Sequence, residues 1–561
     1  MPFRLYQCVS RFRRDQRGNI AVIFTIAVIP LISAMGCAVD YSLATRMKAK
    51  MQSAADAAGI ASLSQRSPGY IAASAMTGNG TVAAGVTDAN NVFDGNMSGI
   101  TGYQNLVRTS TVTKTGIRLA SSVQFSADVP VVFMRALGYQ TLTVTGVSSS
   151  AATLPPYLDF YLTLDVSGSM GLPSTPAEAV RMQTINPDNW VQYRTGCTLA
   201  CHFAPQRSAC VDPPVTAPAA PNPNPATNAN YSQQYNTNNY CMGYVYSRLS
   251  QSALTNLINQ ASTPTVRKQV PGLPVAMLPG LNTTVTSGSP NSLITGNSSS
   301  LPYSLPAVSS CDTDGTDACI QLRLDAVGYA LNRLFITANA EMQVPQQFRI
   351  GLYPFIQKLW ALYSPLTSTI NGDPNNSSTI NYAAAKLATL LDTNMESNLG
   401  SGGTHIDTAL SSVNNLISGG SGAVGDGSTS TNTQPYVFLV TDGAQDNQIK
   451  GVPNGSWSGS NHATTLDLRN TLTSIPSCTA LKSRGIIVSV LYIPYQQINP
   501  VNTSFAGDED TAANDNIPYI PASLQKCASP GFFYTANTPA DITAALNAMF
   551  KHAVAVAHIT N

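Results

Sequence analysis

The apolar residues in the second half of the chain follow two alternating patterns. Continuous apolar runs bounded by turn residues predict buried parallel strands, whereas apolar residues at three- and four-residue steps predict helices. The predicted strands are residues 157–164, 349–354, 436–442, 485–492 and 532–534, and the predicted helices are 322–335, 478–483 and 539–550. Strands that alternate with helices in this way predict an α/β fold with a doubly wound, mostly parallel sheet, which we assign to residues 153–561.

Near the N-terminus, residues 20–39 form an uncharged and mostly apolar run. Twenty helical residues extend about 30 Å, the thickness of one bilayer core, so this run predicts a single transmembrane helix. The arginines before it outnumber the basic residues just after it and favour a cytoplasmic N-terminus, which leaves the bulk of the chain outside the cytoplasm. A cleaved secretory signal is the alternative, and we favour the retained anchor because the run is long for a signal.

Between the span and the α/β region the pattern changes twice. The helix continues over residues 41–65 with many small residues, so that residues 1–65 comprise a cytoplasmic tail, the span and a helical extension. The small-residue stripe could dock a partner helix or pack on its own chain. Residues 66–152 contain β-branched, partly alternating runs and predict a small antiparallel β-rich spacer.

Composition narrows the possible partners and the compartment. Charged residues make up only 11% of the chain and the formal net charge is +1, so the chain has no basic excess, which argues against nucleic acid as a partner. Eight of the ten cysteines follow the predicted span, and an even number in an exported segment predicts disulfides. They are Cys197, Cys201, Cys210, Cys241, Cys311, Cys319, Cys478 and Cys527. Proximity suggests the pairs Cys311–Cys319 and Cys478–Cys527, although many other connectivities are possible.

A long insertion interrupts the α/β pattern over residues 171–318. It is rich in Pro, Asn, Ser and Thr and contains five of the eight cysteines. Because it begins directly after the first strand and its loop, it predicts a lid or a partner-recognition surface. A disordered middle part is the alternative.

Oxygen-bearing side chains cluster at the predicted strand ends. Asp165, Ser167 and Ser169 leave the first strand on alternate residues, Thr404 precedes a predicted helix, and Asp442 ends a later strand. The carboxyl ends of the strands in an open α/β sheet meet at one edge, where such folds bind ligands. Hard oxygen donors at that edge suit Mg²⁺. Ordinary polar capping of the loops is the alternative.

The ordered set Asp-x-Ser-x-Ser, Gly-Gly-Thr and Thr-Asp-Gly resembles the metal-ion-dependent adhesion site of von Willebrand factor A domains. The resemblance implies that Asp165, Ser167, Ser169 and Thr404 approach Mg²⁺ (or Ca²⁺ or Mn²⁺) directly or through water. It implies that Asp442 ligates through water or anchors the ligands. In this family an acidic group of a partner often fills the open coordination position.

The N-terminal block resembles the TadE/TadG-like segment of Flp (tight adherence) pilus-assembly proteins. The resemblance rests on Gly18-Asn19, the apolar span, Asp40-Tyr41 and the small-residue segment 52–58. Together with a downstream von Willebrand A domain, this segment looks like a TadG-like protein. The combination implies a single-pass protein of the bacterial inner membrane, with its bulk in the periplasm. It also implies metal-dependent binding of other pilus-assembly proteins during Flp/Tad pilus assembly or secretion.

Two other functions stay open at this point. A surface adhesin would use the same metal site to bind host or matrix ligands. A hydrolase is the less favoured alternative, because the chain has no His-Glu-x-x-His, no Gly-x-Ser-x-Gly on a strand-turn-helix and no phosphate-binding loop. We therefore expect a non-enzymatic protein.

Overall fold

The computed structural model describes residues 19–178, 320–392, 397–451, 457–459, 463–495, 497 and 509–559. These residues form two compact units. The first unit extends to Pro155 and the second begins at Pro156.

A long helix, α1 (Asn19–Ala61), begins the first unit and continues without interruption past the predicted span. By length and composition it is able to cross a membrane, and apolar side chains such as Ile23, Phe24 and Ile29 are exposed along its first half. Exposed apolar side chains around a helix are typical of a segment that faces lipid. Both a membrane anchor and a signal sequence have this character.

The rest of the first unit contains an antiparallel sheet in the order β1-β2-β3-β4 and two further helices. The strands are β1 (Gly80–Thr81), β2 (Gln104–Thr115), β3 (Arg118–Pro130) and β4 (Thr141–Thr153), and the helices are α2 (Pro68–Ala75) and α3 (Ala83–Met97). The three long strands contain the β-branched runs that predicted them, and each pairs antiparallel with its neighbour. The two helices were not predicted, so this region is mixed rather than purely β.

The small-residue stripe of α1 packs on its own chain. Met51, Ala54 and Ala58 are buried in one cluster with Phe93 of α3 and Phe125 of β3. The small side chains allow α1 to lie close to the sheet. The rings of Phe93 and Phe125 fill the space that remains between α1 and the sheet. Of the two interpretations of the stripe, packing within the chain is therefore the one that the structure supports.

A six-stranded mixed sheet forms the centre of the second unit, in the order β12-β11-β8-β5-β6-β7. The strands are β5 (Leu158–Asp165), β6 (Phe348–Phe355), β7 (Ser364–Thr367), β8 (Gln434–Thr441), β11 (Ile487–Tyr492) and β12 (Phe533–Thr535). Every neighbouring pair is parallel except β6–β7, which is antiparallel. A separate two-stranded ribbon joins β9 (Ile449–Lys450) and β10 (Trp457–Ser458).

Helices follow the strands along the chain. They are α4 (Arg323–Glu341), α5 (Ile380–Ala385), α6 (Ile406–Leu416), α7 (Pro476–Ser483), α8 (Glu509–Asn516), α9 (Ile520–Cys527) and α10 (Pro539–Ile559). Asp325 accepts the backbone N–H of Leu322 at the start of α4, which satisfies one donor where the helix begins. The second unit is thus a mixed α/β structure.

Strand β5 lies in the middle of the sheet, and all eight of its residues are buried. The centroid of the Phe160 ring lies close to four other aromatic rings, at 6.2 Å from Phe348, 5.6 Å from Tyr436, 5.3 Å from Phe438 and 5.2 Å from Phe550. Rings in contact at these distances contribute beyond the area that they bury. This aromatic cluster therefore fixes the strand that ends at Asp165.

The two ends of the long insertion lie side by side. Ser174 donates its backbone N–H to the carbonyl of Gln321 at 2.9 Å, and its hydroxyl to the Gln321 side chain at 2.6 Å. Residues 179–319 lie outside the described residues, and Cys197, Cys201, Cys210, Cys241, Cys311 and Cys319 lie with them. The insertion therefore leaves and rejoins the second unit at one place, between β5 and α4.

A disulfide joins Cys478 of α7 to Cys527 of α9, as proximity in the sequence suggested. Both residues are buried, so the bond ties two helices of the second unit together within its core. Its 49-residue separation closes a long loop in the unfolded chain.

We expect the double substitution of Cys478 and Cys527 by serine to lower the free energy of unfolding of the second unit by about 4 kcal/mol, because the unfolded chain gains the freedom of that loop. Denaturant unfolding of the full chain in detergent measures this. Treating the wild type with reductant provides the control, since it should produce a similar loss. An unchanged unfolding midpoint in both cases would show that the bond contributes nothing.

Candidate functional site

The candidate site lies where the order of the central sheet reverses. From β5 the chain continues to β6 on one side, and later to β8 on the other side of β5. In parallel α/β sheets the crevice at such a reversal, at the carboxyl ends of the strands, is the usual ligand site. Asp165 ends β5, and Asp442 directly follows β8. The two carboxylates therefore lie at the same edge, on adjacent strands.

Asp165 is almost fully buried, and its two carboxylate oxygens hold the loops at the ends of both strands. One oxygen accepts the backbone N–H of Ser167 at 3.0 Å, and the other accepts the hydroxyl of Thr441 at 2.7 Å. Burial raises the pKa of Asp165, and the negative charge of Asp442 raises that pKa further. A buried carboxylate whose ionisation is disfavoured in this way is well suited to bind a positive charge.

The two serines complete the first loop. Ser167 and Ser169 are buried, and their hydroxyl oxygens lie 3.4 Å apart. The hydroxyl of Tyr495, which follows β11, donates to the Ser169 oxygen at 3.1 Å. Two hydroxyl oxygens thus converge beside the Asp165 carboxylate.

Asp442 is fully buried, and neither of its carboxylate oxygens makes a hydrogen bond of normal geometry. The closest cation is Arg323 at the start of α4, whose Nη1 lies 3.5 Å from Oδ2. Burial raises the pKa of Asp442, and it stays raised although Arg323 and the hydroxyls of Ser169 and Tyr495 act to lower it. Buried carboxylate oxygens without hydrogen bonds are costly, so they identify a position that a cation would stabilise.

Arg323 is itself held by neighbouring groups. Its Nη2 donates to the carbonyl of Pro494 at 3.2 Å, and its guanidinium lies over the ring of Tyr495, 5.9 Å from the centroid. The side chain is nearly buried. The site therefore contains a fixed positive charge in addition to the two carboxylates.

The third loop reaches the site through its backbone. Thr404 is buried, and its N–H and carbonyl exchange two 2.9 Å hydrogen bonds with Asp446, four residues after Asp442. Gly403 has a φ of +66°, and a Cβ there would lie 2.3 Å from the Asp446 carbonyl oxygen, so the close approach requires glycine. The loop that contains Thr404 thus adjoins the loop that contains Asp442.

Asp392 connects this third loop to the first. Its carboxylate accepts the Ser401 hydroxyl at 2.7 Å and the Gly402 N–H at 2.9 Å, while its own N–H donates to the Val166 carbonyl at 3.2 Å. Asp392 therefore orients the glycine-rich loop relative to the residue that follows Asp165.

Sequence reasoning missed four residues of this site: Thr441, Arg323, Tyr495 and Asp392. A signal for Thr441 was present, because it is the first residue of the Thr-Asp-Gly motif that ends with Gly443. His405, which directly follows Thr404, is buried, and its Nε2 lies 2.9 Å from the Gln448 carbonyl oxygen.

The residues that converge here fit a small divalent cation. The donors are carboxylate and hydroxyl oxygens, which Mg²⁺ prefers, and the Asp442 oxygens lack hydrogen bonds. Among the described residues, no group of three or more His, Cys, Asp or Glu side chains is close enough to hold a metal. A cation at this site would therefore depend on serine and threonine hydroxyls in addition to two aspartates.

Comparison with known proteins gives one family match. Residues 18–65 match the Tad family, which is described as TadE/G-like Flp pilus-assembly. The match covers the helix α1 and the turn after it. It supports a pilus-related role. No curated protein sequence matches the chain.

Several solved structures are weakly similar. The pilus adhesin SpaC from Lactobacillus rhamnosus GG is 11% identical, with a TM-score of 0.28, and the match covers 81% of this chain and 34% of SpaC. A mutant of the PilB minor pilin from Streptococcus sanguinis is 9% identical, with a TM-score of 0.28 and coverages of 82% and 81%. The vWF domain of the type V pili tip protein Mfa5 from Porphyromonas gingivalis is 13% identical, with a TM-score of 0.24 and coverages of 41% and 88%. The chain spans about a third of SpaC, and at these TM-scores the similarities carry no weight for the fold or the function.

Proposed function

We propose that this protein is a membrane-anchored, non-enzymatic component of Flp/Tad pilus assembly or secretion that binds other pilus-assembly proteins through a divalent cation, Mg²⁺ or else Ca²⁺ or Mn²⁺. One observation carries the proposal. Two buried aspartates, Asp165 and Asp442, lie at the ends of adjacent parallel strands beside two serine hydroxyls, and the Asp442 oxygens lack hydrogen bonds. The TadE/G-like match over residues 18–65 supports the cellular context.

The proposed fold of the second unit is a doubly wound sheet of the von Willebrand A type. Its support is the strand order, in which the chain begins at the central β5 and extends to either side of it. The antiparallel β7 at one edge is compatible with this assignment, because otherwise parallel sheets often have an antiparallel edge strand.

Within the site each residue has a distinct proposed role. Asp165, Ser167, Ser169 and Thr404 would hold the cation directly or through water, and Asp442 would hold it through water or orient its ligands. The bound cation would supply an open coordination position for an acidic group of the partner. Thr441 and Asp392 position the loops by their hydrogen bonds to Asp165 and to Ser401.

The charges at the site favour an acidic partner. Two carboxylates, the Arg323 guanidinium and one divalent cation leave a net charge of +1 in a place that is largely closed to water. A carboxylate supplied by a partner would neutralise this charge, and a charge-assisted contact away from water is stronger than one at an exposed surface.

The anchor sets the proposed location. With α1 in the inner membrane and its N-terminus in the cytoplasm, the second unit would face the periplasm, where the Cys478–Cys527 disulfide is chemically stable. An outer-surface location on cell fractionation would instead favour an adhesin.

Capture experiments in Mg²⁺ and in chelator test the function. The full chain, purified in detergent, should retain Flp/Tad proteins from envelope extracts in Mg²⁺ and lose them in EDTA. The Asp165→Ala variant should behave in Mg²⁺ as the wild type does in EDTA, while Leu362→Ala, a change at an 80% exposed residue, should behave as the wild type. Identical captured proteins under every condition would refute the metal-bridge role.

The binding of Mg²⁺ should weaken as the pH falls. Burial raises the pKa of Asp165 and Asp442, so each carboxyl of the metal-free protein keeps its proton above the ordinary value of 3.8, and a cation must displace it. Calorimetric Mg²⁺ titrations at pH 8 and at pH 5.5 should show tighter binding at pH 8, with protons released.

The same shifts make the opposite prediction for the metal-free fold. A carboxyl whose pKa is raised by folding binds more protons in the folded state, so stability is highest in acid and falls as the pH rises above the ordinary carboxyl value. In EDTA the midpoint of thermal unfolding should therefore decrease from pH 5.5 to pH 8. Saturating Mg²⁺ should raise the midpoint again at pH 8. A Mg²⁺ affinity that does not vary with pH would contradict both expectations.

A further inference from the structure

The tip of the β3–β4 hairpin exposes an apolar surface. The tip comprises residues 131–140, and within it Val132, Phe133, Leu137 and Tyr139 are 68%, 46%, 55% and 55% exposed. A short 3₁₀ turn, Met134–Leu137, shapes it, and its Arg135 is also exposed. Four large apolar side chains this close together on a loop are unusual for a surface that meets only water.

Hydrogen bonds fix this tip against one point of α1. The Asp40 carboxylate accepts the backbone N–H groups of Val132, Phe133 and Met134 at 3.0, 2.9 and 2.7 Å. Asp40 is itself buried by these contacts. The three donors satisfy the carboxylate and hold the start of the 3₁₀ turn beside the helix.

The point of α1 that holds the tip, Asp40, lies at the end of the predicted span. Asp40 directly follows residues 20–39, and Gly36 lies within them. A Cβ on Gly36 would lie 2.4 Å from the Cβ of Phe133, so the absence of a side chain at Gly36 allows the tip to touch the helix there. If α1 crosses a bilayer as proposed, the tip lies at the depth where the span ends.

Other contacts show that the remaining part of the sheet extends away from that level. Gln52 of α1 donates to the Val147 carbonyl at 3.0 Å, and Gly59 of α1 lies beside Ser148 and Ser150. Strand β4 therefore follows the helix from its membrane end outward, and the hairpin tip is the part of the sheet nearest to the span.

We propose that the hairpin tip inserts into the interfacial region of the bilayer on the side where the span ends, an inference that rests on the proposed membrane anchor. The occupant of its apolar surface is lipid. Val132, Phe133 and Leu137 face the acyl-chain boundary, Tyr139 lies at the level where amphipathic rings concentrate, and Arg135 contacts phosphate headgroups.

This second contact has a mechanical consequence. A single helix is free to rotate and tilt in a bilayer, whereas a helix with a hairpin fixed beside it and embedded in the interface holds one orientation. The sheet of the first unit is thereby oriented relative to the membrane plane.

Photocrosslinking of the full chain in phospholipid vesicles tests the proposal. The photoreactive residue benzoylphenylalanine replaces Leu137 in vesicles of zwitterionic and anionic phospholipid, and mass spectrometry counts lipid adducts. The matched control is Ile60, 66% exposed on the same helix and about 32 Å beyond Val39 at the rise of an α-helix. Ile29, 66% exposed inside the span, is the positive control.

The expected result is abundant lipid adducts at Ile29 and Leu137, with at least a fivefold excess of Leu137 over Ile60. Adducts at Ile29 with Leu137 at the level of Ile60 would overturn the insertion of the tip and leave the anchor intact. Adducts of Leu137 with protein rather than lipid would overturn it in favour of a protein partner. A failure at Ile29 would refute the anchor itself, and the inference with it.

Discussion

Replacing Asp165 by alanine is expected to weaken the binding of Mg²⁺ to the full chain by about 100-fold or more. The loss of a group that only orients a metal ligand typically costs about 10- to 100-fold in affinity, and Asp165 is itself proposed to hold the cation, directly or through water. Calorimetric titration with Mg²⁺ measures the affinity, and the shift of the thermal unfolding midpoint in Mg²⁺ gives a second readout. In the wild type Mg²⁺ should raise this midpoint, and in the variant it should not.

An isosteric variant separates the loss of a ligand from a loss of structure. Asn in place of Asp165 keeps an oxygen acceptor for the Ser167 N–H, which bonds to one carboxylate oxygen at 3.0 Å. Its amide NH2 takes the place of the other oxygen, which accepts the Thr441 hydroxyl at 2.7 Å, and can donate to that hydroxyl oxygen instead. Asp165→Asn should therefore fold as the wild type does in EDTA, yet lose most of its affinity for Mg²⁺. Wild-type Mg²⁺ affinity in both variants would show that Asp165 is a structural residue alone.

A substitution of Arg323 provides a control that should change the Mg²⁺ affinity in the opposite direction. Its Nη1 lies 3.5 Å from the Asp442 carboxylate, so it neutralises that group and repels a cation beside it. Arg323→Gln should tighten Mg²⁺ binding by about tenfold or more, since charges a few ångströms apart in a largely buried site interact by several kcal/mol. The same substitution should destabilise the metal-free protein, because it leaves the Asp442 charge buried and unpaired. Weaker Mg²⁺ binding in Arg323→Gln would contradict a cation site next to Asp442.

The strands of the second unit were predictable because they are buried on both faces. Residues 157–164 are apolar except for Asp159 and Thr163, and such runs in an alternating helix–strand pattern have few other interpretations. The antiparallel β7 (Ser364–Thr367) was not predicted, since its four residues are exposed or half-exposed at the edge of the sheet.

Helix α3 of the first unit shows where local pattern reading fails. Its segment contains Gly, Asn and Asp, which are weak helix formers, and these residues obscure the apolar spacing. Gly85, Ala89, Phe93 and Met97 are nevertheless buried at four-residue steps. The packing of this stripe on α1 and the sheet stabilises a helix that propensity alone would not favour.

The candidate site likewise contains residues that were predictable from the sequence and residues that were not. The proximity of Asp165 and Asp442 follows from their positions at strand ends. Arg323 and Tyr495 come from a helix start and a loop far along the chain, and nothing in their local sequence indicates that they reach the site. Only the tertiary fold brings these two residues to the carboxylates.

Replacing Phe160 by alanine is expected to lower the free energy of unfolding of the second unit by about 3–5 kcal/mol, the usual cost of truncating a buried phenylalanine. Phe160 is 1% exposed and contacts the rings of Phe348, Phe438 and Phe550, so its removal leaves a cavity that these large rings cannot close. Denaturant unfolding in EDTA, with the full chain in detergent, measures the change without any contribution from a bound cation.

Two controls make the Phe160 test specific. Phe160→Leu keeps much of the volume and should cost less than half as much, whereas Leu362→Ala, at an 80% exposed residue, should change the stability by no more than about 0.5 kcal/mol. Because β5 ends at Asp165, the cavity should also reduce Mg²⁺ affinity, and Phe160→Leu should restore most of it. Equal unfolding midpoints for Phe160→Ala and Leu362→Ala would mean that the aromatic cluster does not hold β5, and a cation site that depends on the position of that strand would lose its support.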